Sequence, residues 1–114
     1  MTMDDQQFRK VSGDALLTLQ QALERASEDY DFDVDSKEGA LAIEFDDPPA
    51  KFVISPNSPV RQIWVSARVK SFKLDWDEAA AAFVLPADGR TLLQLIADVV
   101  GEQMGETVSL HDPR

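Results

Sequence analysis

The sequence predicts an α+β fold, a two-layer α/β sandwich in which N- and C-terminal helices pack on one face of an antiparallel sheet of about six strands. Three observations predict it. Apolar residues recur at helical spacing over residues 8–26 and again over residues 92–104, and short alternating apolar runs separated by turn residues lie between them. Strands joined by short turns pair antiparallel. Helices with one apolar stripe each can cover a single face of that sheet.

The first helix is predicted from apolar residues that recur at three- and four-residue steps. They form one stripe over about five helical turns. The stripe consists of Phe8, Val11, Ala15, Leu16, Leu19, Ala22, Leu23 and Ala26. Glu24 and Glu28 fall on the opposite side of the same helix. We therefore expect an apolar face toward the core and an acidic face toward solvent.

The strands are predicted from runs rich in β-branched and aromatic residues that end at glycine, proline and aspartate. Their markers are, in order, Phe32 and Val34, then Leu41, Ile43 and Phe45, then residues 52–54, 61–66, 72–76 and 79–85. The turns and breaks between them are residues 37–39, residues 46–49, Pro56 and Pro59. The alanine-rich run 79–85 favours a helix on propensity alone. Because it is short and ends at Pro86, we assign it to a strand.

The second helix is predicted to begin at a capping box, since Thr91 and Gln94 have the required spacing. Its apolar stripe consists of Leu92, Leu95, Ile96, Val99, Val100, Gln103 and Met104. Gly105 follows the stripe and is placed to end the helix. The expected order is therefore helix, strands, helix.

Composition excludes several classes of function. The 114 residues suffice for one domain, expected to span residues 1–114, and a hydrophobic fraction of 44% is too high for a disordered acidic tail. The absence of cysteine excludes disulfides, thiolate zinc sites, Fe–S ligation and a cysteine nucleophile. His111 is the only histidine and lies near the C-terminal end, so a Ser-His-Asp triad is not expected.

The sequence also allows predictions of the cellular location and of the binding partners. No signal-peptide pattern or long apolar run is present, and we expect a soluble, cytoplasmic protein. The net charge of −10 argues against nucleic acid and anionic membranes as partners. It favours cations and basic protein surfaces.

The most informative feature is the acidity of residues 24–47, which hold ten acidic side chains against two basic ones, a net charge of −8. At its centre Asp31, Asp33 and Asp35 alternate with apolar residues, and strand periodicity would point all three the same way. Crowding like charges on one surface destabilises a fold. A cation or a basic partner is therefore the expected reason for the cluster, and a merely solubilising surface is the alternative.

The same spacing limits the kind of metal site. Alternate residues of a strand are about 7 Å apart, too far for one ion to bind three carboxylates at ~2 Å. We expect several exposed sites of one or two carboxylates, each completed by water. An EF-hand loop is not predicted, because Ser36 and Ala42 occupy the positions where that loop needs glycine and glutamate.

Trp64 is a candidate for partner binding. If Ile63 and Val65 point to the core, then Gln62 and Trp64 point outward, where a tryptophan is typical of an interface. The opposite parity would bury Trp64 in ordinary sheet packing. The alternation by itself leaves both orientations open.

Several short motifs occur in order at residues 39–43, 52–66, 74–76 and 88–89, among them Gln-Ile-Trp and Leu-Asp-Trp. Their order and spacing resemble the frataxin family in its bacterial, CyaY-like form, over about residues 8–110. The resemblance implies two helices on one face of an antiparallel sheet. It also implies an iron-binding protein of iron–sulfur cluster assembly that contacts a cysteine desulfurase and the cluster scaffold.

The resemblance further implies that Fe²⁺ or Fe³⁺ is bound weakly by an acidic ridge on the first helix and strand. Carried over position by position, the acidic ridge consists of Glu24, Glu28, Asp29, Asp31, Asp33 and Asp35. The partner-binding residues of the sheet surface correspond to Gln62, Trp64 and Asn57. This match favours the outward orientation of Trp64.

Some positions depart from the family pattern. The bacterial pattern is acidic at three positions that are occupied here by Gln20, Gln21 and Arg25, so the part of the ridge on the first helix carries less negative charge. In addition, Ser55 replaces the usual asparagine. Lys73 is expected to be solvated, with contact to an acidic partner surface as the alternative. Asp75 and Trp76 are expected to have a structural role, with Trp76 helping to close the core.

We therefore expect an iron-binding regulator or iron chaperone of iron–sulfur cluster assembly that is not an enzyme and is monomeric without metal. Two alternatives stay open: an acidic protein-binding module with incidental metal binding, and a ferroxidase that uses paired carboxylates. Iron stoichiometry, oxidation state and the sign of the effect on cluster assembly are not determined by the sequence.

Overall fold

The computed structural model describes residues 3–46 and 49–110, which fold in the predicted order of helix, strands and helix. The elements are α1 (Asp5–Ala26), β1 (Asp33–Lys37), β2 (Ala40–Asp46), β3 (Pro49–Asn57), a 3-10 turn (Ser58–Val60), β4 (Gln62–Ala67), β5 (Lys70–Asp77), β6 (Ala82–Val84) and α2 (Leu92–Met104). The strands lie side by side in chain order, and each is antiparallel to its neighbours. Asp47, Pro48 and His111, which the sequence analysis discusses, lie outside the described residues.

The core lies between one face of the sheet and α1 and α2. The buried side chains of the sheet are Leu41, Ile43, Phe45, Phe52, Ile54, Ile63, Val65, Ala67, Leu74 and Phe83. Each helix buries most of its predicted stripe against them, with Val11, Ala15 and Met104 partly buried. An edge-to-face contact at 6.0 Å joins Phe8 of α1 to Phe83 of β6. The predicted fold class is confirmed. The face of the sheet turned away from the helices, called the open face below, carries mostly polar side chains.

The predicted ends of α2 are confirmed. The Thr91 hydroxyl accepts from the Gln94 backbone N–H, and the Gln94 side chain accepts from the Thr91 backbone N–H. Gly105 follows the helix with a φ of 71°, where glycine has no steric penalty. At the start of α1 the Asp4 carboxylate accepts from the Gln7 N–H, a cap that periodicity alone did not reveal.

The predicted break at Pro56 is wrong, because β3 continues through it to Asn57. Pairing between β2 and β3 reaches only Ile54, whereas Pro56 still pairs with Ile63 of β4. Among the described residues, no strand pairs with the β2 side of β3 beyond Ile54. A proline, which has no N–H to donate, is tolerated in a strand where one side is unpaired.

The predicted strand over residues 79–85 is correct only for Ala82–Val84. The Asp77 carboxylate accepts from the backbone N–H groups of Ala79 and Ala80, at 3.0 and 3.3 Å. Ala81 then takes a φ of 51°. A side chain that bonds to the following backbone favours a turn over strand or helix. Hence the alanines preceding β6 form a turn.

A methyl group added at Gly101 should destabilise the protein. Its Cβ would lie 2.8 Å from the carbonyl oxygen of Glu106, where the chain folds back onto α2 and buries Val108. Alanine gains about 1 kcal/mol in helix propensity, but the backbone contact must be relieved. We expect Gly101→Ala to lower the free energy of unfolding by about 1–3 kcal/mol in urea titrations.

The matched control for this change is Gly13→Ala. Gly13 lies inside α1, and apart from its chain neighbours and the helix's own nearby backbone nothing lies within 4 Å of a Cβ built there. This substitution should leave stability unchanged or raise it through helix propensity alone. Equal effects of the two substitutions would show that the approach of Glu106 imposes no constraint.

Candidate functional site

The acidic ridge follows the surface from the end of α1 into β1. Its members are Glu24 in the last turn of α1, Glu28 and Asp29 in the turn after it, Asp31 in a bend, and Asp33 and Asp35 on β1. All six side chains are exposed. They thus lie in one stretch of chain as predicted, but not on two regular elements.

Two details of the predicted ridge are wrong. α1 ends at Ala26, so Glu28 is not on the helix: its N–H and that of Asp29 bond back to the carbonyls of Arg25 and Ala26 in a closing turn. β1 begins only at Asp33, so Asp31 precedes the sheet. The chain turns tightly around Asp31, where the Phe32 N–H donates to the Tyr30 carbonyl at 3.1 Å.

Asp33 and Asp35 lie on the open face of the sheet. Val34 between them is paired with the buried Ile43, which places the two aspartates on the opposite side. Asp33 is paired with Glu44 of β2, and the Glu44 carboxylate lies 3.8 Å from the ammonium of Lys51. Glu44 therefore extends the negative surface from β1 onto β2.

The ridge charges are not neutralised by neighbouring side chains. Among residues 3–46 and 49–110, none of the ion pairs involves a ridge carboxylate. In the same described ranges, no group of three or more acidic or histidine side chains is close enough to hold a metal ion jointly. The ridge presents separated, solvent-exposed carboxylates, an arrangement suited to weak and exchangeable cation binding.

The open face also carries Asn57, Gln62 and Trp64. Ile63 and Val65 are 0% and 1% exposed, whereas Trp64 is 38% exposed, so its outward orientation is confirmed. Asn57 is paired with Gln62 across β3 and β4. The structure thus brings the three predicted residues together on one face, and their role in partner binding stays a prediction.

Trp64 and Gln62 belong to a network that sequence reasoning missed. The indole Nε1–H of Trp64 donates to Oε1 of Gln62 at 3.0 Å, and Nε2 of Gln62 donates to Oδ1 of Asp75 at 2.9 Å. Nζ of Lys73 lies 4.9 Å from the centroid of the Trp64 ring. Lys73 is exposed, as expected of a solvated side chain, but it also contacts the Trp64 ring, and Asp75 links β5 to Gln62 of β4. The contacts of Lys73 and Asp75 follow from the β4–β5 register, which pairs Trp64 with Lys73 and Gln62 with Asp75.

Comparison with known proteins gives one consistent family. The family model described as a frataxin-like domain matches residues 1–106. A protein of Azotobacter vinelandii named "Iron-sulfur cluster assembly protein CyaY" is 35% identical over 114 residues, 98% of this chain and 99% of the relative. A protein of the same name from Dechloromonas aromatica is 32% identical over 109 residues, 96% of this chain and 100% of the relative.

Among solved structures, a frataxin from Psychromonas ingrahamii superposes with a TM-score of 0.74 at 23% identity, covering 94% of this chain and 97% of that one. At this level of identity the likeness concerns the fold. Within the described residues, no helix is long and apolar enough to cross a membrane.

Proposed function

The chain belongs to the frataxin-like family, and from this premise we propose that it acts in iron–sulfur cluster assembly. Relatives that match nearly its whole length carry that role in their names. In finer terms, we propose an iron-binding regulator or iron chaperone that docks on a cysteine desulfurase and its scaffold. The observation that carries this finer proposal is the row of six exposed carboxylates without ion-pair partners among the described residues.

Iron ions are hard cations that accept carboxylate oxygens in both common oxidation states. With alternate strand residues about 7 Å apart, each ion would bind one or two ridge carboxylates and keep water as its other ligands. Such sites bind weakly, exchange quickly and discriminate little between cations. These properties suit delivery or sensing of iron better than storage.

The same charges would attract a basic surface of the desulfurase, so bound iron and docking would compete for the ridge. In this way the protein would link sulfur delivery to the iron supply. The chain has no cysteine nucleophile, and its one histidine lies near the C-terminal end, so neither a Cys–His nor a Ser–His catalytic pair is expected. We propose that it is not itself an enzyme.

Anaerobic titration of Fe²⁺ into the metal-free protein tests the metal role of the ridge. We expect the triple variant Asp31→Asn, Asp33→Asn and Asp35→Asn to bind Fe²⁺ at least about tenfold more weakly, since at about 4 Å a carboxylate attracts a doubly charged ion by about 2 kcal/mol even at the dielectric constant of bulk water. The control variant, Asp14→Asn, Glu78→Gln and Glu102→Gln, makes the same change in net charge on other elements and should change affinity less than twofold.

The alternatives predict different outcomes. If the triple ridge variant keeps full Fe²⁺ affinity but loses desulfurase binding, the protein is an acidic binding module with incidental metal binding. Oxygen uptake during Fe²⁺ addition tests the ferroxidase alternative. Uptake faster than in buffer, and abolished in the ridge variant, would favour that alternative over iron delivery.

A further inference from the structure

We infer that Asp75 is a positioning residue that orients the exposed indole of Trp64 through Gln62. The orientation is a property of the free protein. Its consequence for docking rests on the function proposed above, in which the open face binds a partner protein.

The hydrogen-bonding chemistry of the three groups explains how Asp75 orients the amide of Gln62. An ionised carboxylate only accepts hydrogen bonds, so it selects the NH₂ end of the Gln62 amide. The 2.9 Å bond from Nε2 to Asp75 therefore turns Oε1 of Gln62 the other way, toward the indole. The Trp64 indole N–H only donates, and it meets Oε1 at 3.0 Å.

Without the carboxylate, one of the two groups that orient the Gln62 amide is lost, and only the indole N–H still favours this orientation. A flipped amide would present its NH₂ group to the indole N–H, two donors facing each other, and the bond to Trp64 would be lost. The indole would then sample other rotamers, because Oε1 of Gln62 is the acceptor that holds its N–H end in this orientation. Asp75 thus acts on Trp64 although it does not contact it.

Lys73 restrains the same side chain at a second point. Its ammonium lies 4.9 Å from the ring centroid, within the range of a cation–π contact. The register pairs Gln62 with Asp75 and Trp64 with Lys73. β5 therefore acts on the ring directly through Lys73, and on the N–H end indirectly through Asp75 and Gln62, while the indole stays 38% exposed.

This network contributes little to holding the fold together. It lies on the open face, whereas the core lies on the opposite face of the sheet. Its Gln62–Asp75 bond joins two strands that the backbone ladder already pairs, and its Trp64–Gln62 bond lies within β4. What it adds is a defined rotamer for a large exposed side chain. A group fixed before docking loses less conformational freedom when a partner binds.

The test compares Asp75→Ala with Asp75→Asn in the full chain by ¹H–¹⁵N NMR of the indole groups. Trp64→Phe assigns the two indole signals, and Trp76, which packs on Phe83, serves as the internal reference. We expect Asp75→Ala to shift the Trp64 indole signal and lower its heteronuclear NOE, with Trp76 unchanged. Asp75→Asn keeps an acceptor oxygen and should retain most of the original signal. An unchanged Trp64 signal in Asp75→Ala would overturn the inference.

Binding to a purified bacterial cysteine desulfurase bound to its scaffold tests the consequence. We expect Asp75→Ala to weaken binding about two- to tenfold, and Asp75→Asn, which loses the same charge, to weaken it less. Equal losses in the two variants would assign the effect to charge and overturn the positioning role in docking. If Trp64→Ala binds normally while Asp75→Ala still shifts the indole signal, the docking role of the open face fails and the positioning of Trp64 stands.

Discussion

Replacing Phe52 with alanine is expected to lower the free energy of unfolding by about 3–5 kcal/mol. Phe52 is fully buried on β3, which has strands on both sides, and its ring centroid lies 4.8 Å from that of Phe45. Strands paired on both sides cannot readily collapse into the cavity left behind. Because small domains are stable by only about 5–15 kcal/mol, this loss should be evident in urea unfolding followed by circular dichroism.

Phe72→Ala provides the matched control, since it deletes the same atoms at the edge of the core. Phe72 lies on β5 and is only half-buried. Because less apolar surface leaves water there, we expect a loss clearly smaller than that of Phe52→Ala. Equal losses would mean that the two phenylalanines pack equally well, which contradicts the burial described above.

Neutralising Asp31, Asp33 and Asp35 together as asparagines should slow association with a basic desulfurase surface by about tenfold or more at low ionic strength. Electrostatic attraction between complementary surfaces raises association rates by 10- to 10³-fold, roughly. The difference should shrink at about 1 M salt, where the Debye length is about 3 Å. Stopped-flow or surface-binding kinetics at several salt concentrations would measure both effects.

The control for this experiment carries Asp14→Asn, Glu78→Gln and Glu102→Gln, which remove the same charge from α1, a turn and α2. A similar slowing in this control would show that net charge, and not the acidic ridge, attracts the partner. Melting temperatures of both variants check the fold. Because the ridge variant relieves repulsion, it should melt at the same or a higher temperature than the parent protein.

Much of the fold was predictable because its signals are local. The stripe of α1, the capping box at Thr91 and the outward alternation of β2 depend on residues a few positions apart. The two-residue turn at Glu38 and Gly39 is also local, and both residues adopt the positive φ that such a hairpin turn requires. Such patterns can be recognised from the spacing of residues that are close in the chain, without knowing which residues are in contact in the folded protein.

The errors arise where a residue's state depends on its surroundings. Pro56 stays in β3 because the pairing of β3 with β2 reaches only Ile54. The alanines before β6 form a turn because the Asp77 carboxylate accepts hydrogen bonds from their backbone. Asp31 lies outside β1 because the chain turns before that strand begins. In each case a neighbouring strand or hydrogen bond decides between conformations that propensity ranks as close.

The sequence by itself determined that this protein is an acidic α+β domain with its charge concentrated in residues 24–47 and a frataxin-like order of motifs. Only the tertiary structure decided which side chains meet on the open face. Gln62 and Asp75 are thirteen residues apart in the chain, yet they form a hydrogen bond because the β4–β5 register places them opposite each other. The alternation of side chains between the two faces of the sheet is a local property of each strand. Register depends instead on how two strands and the turn between them fit together.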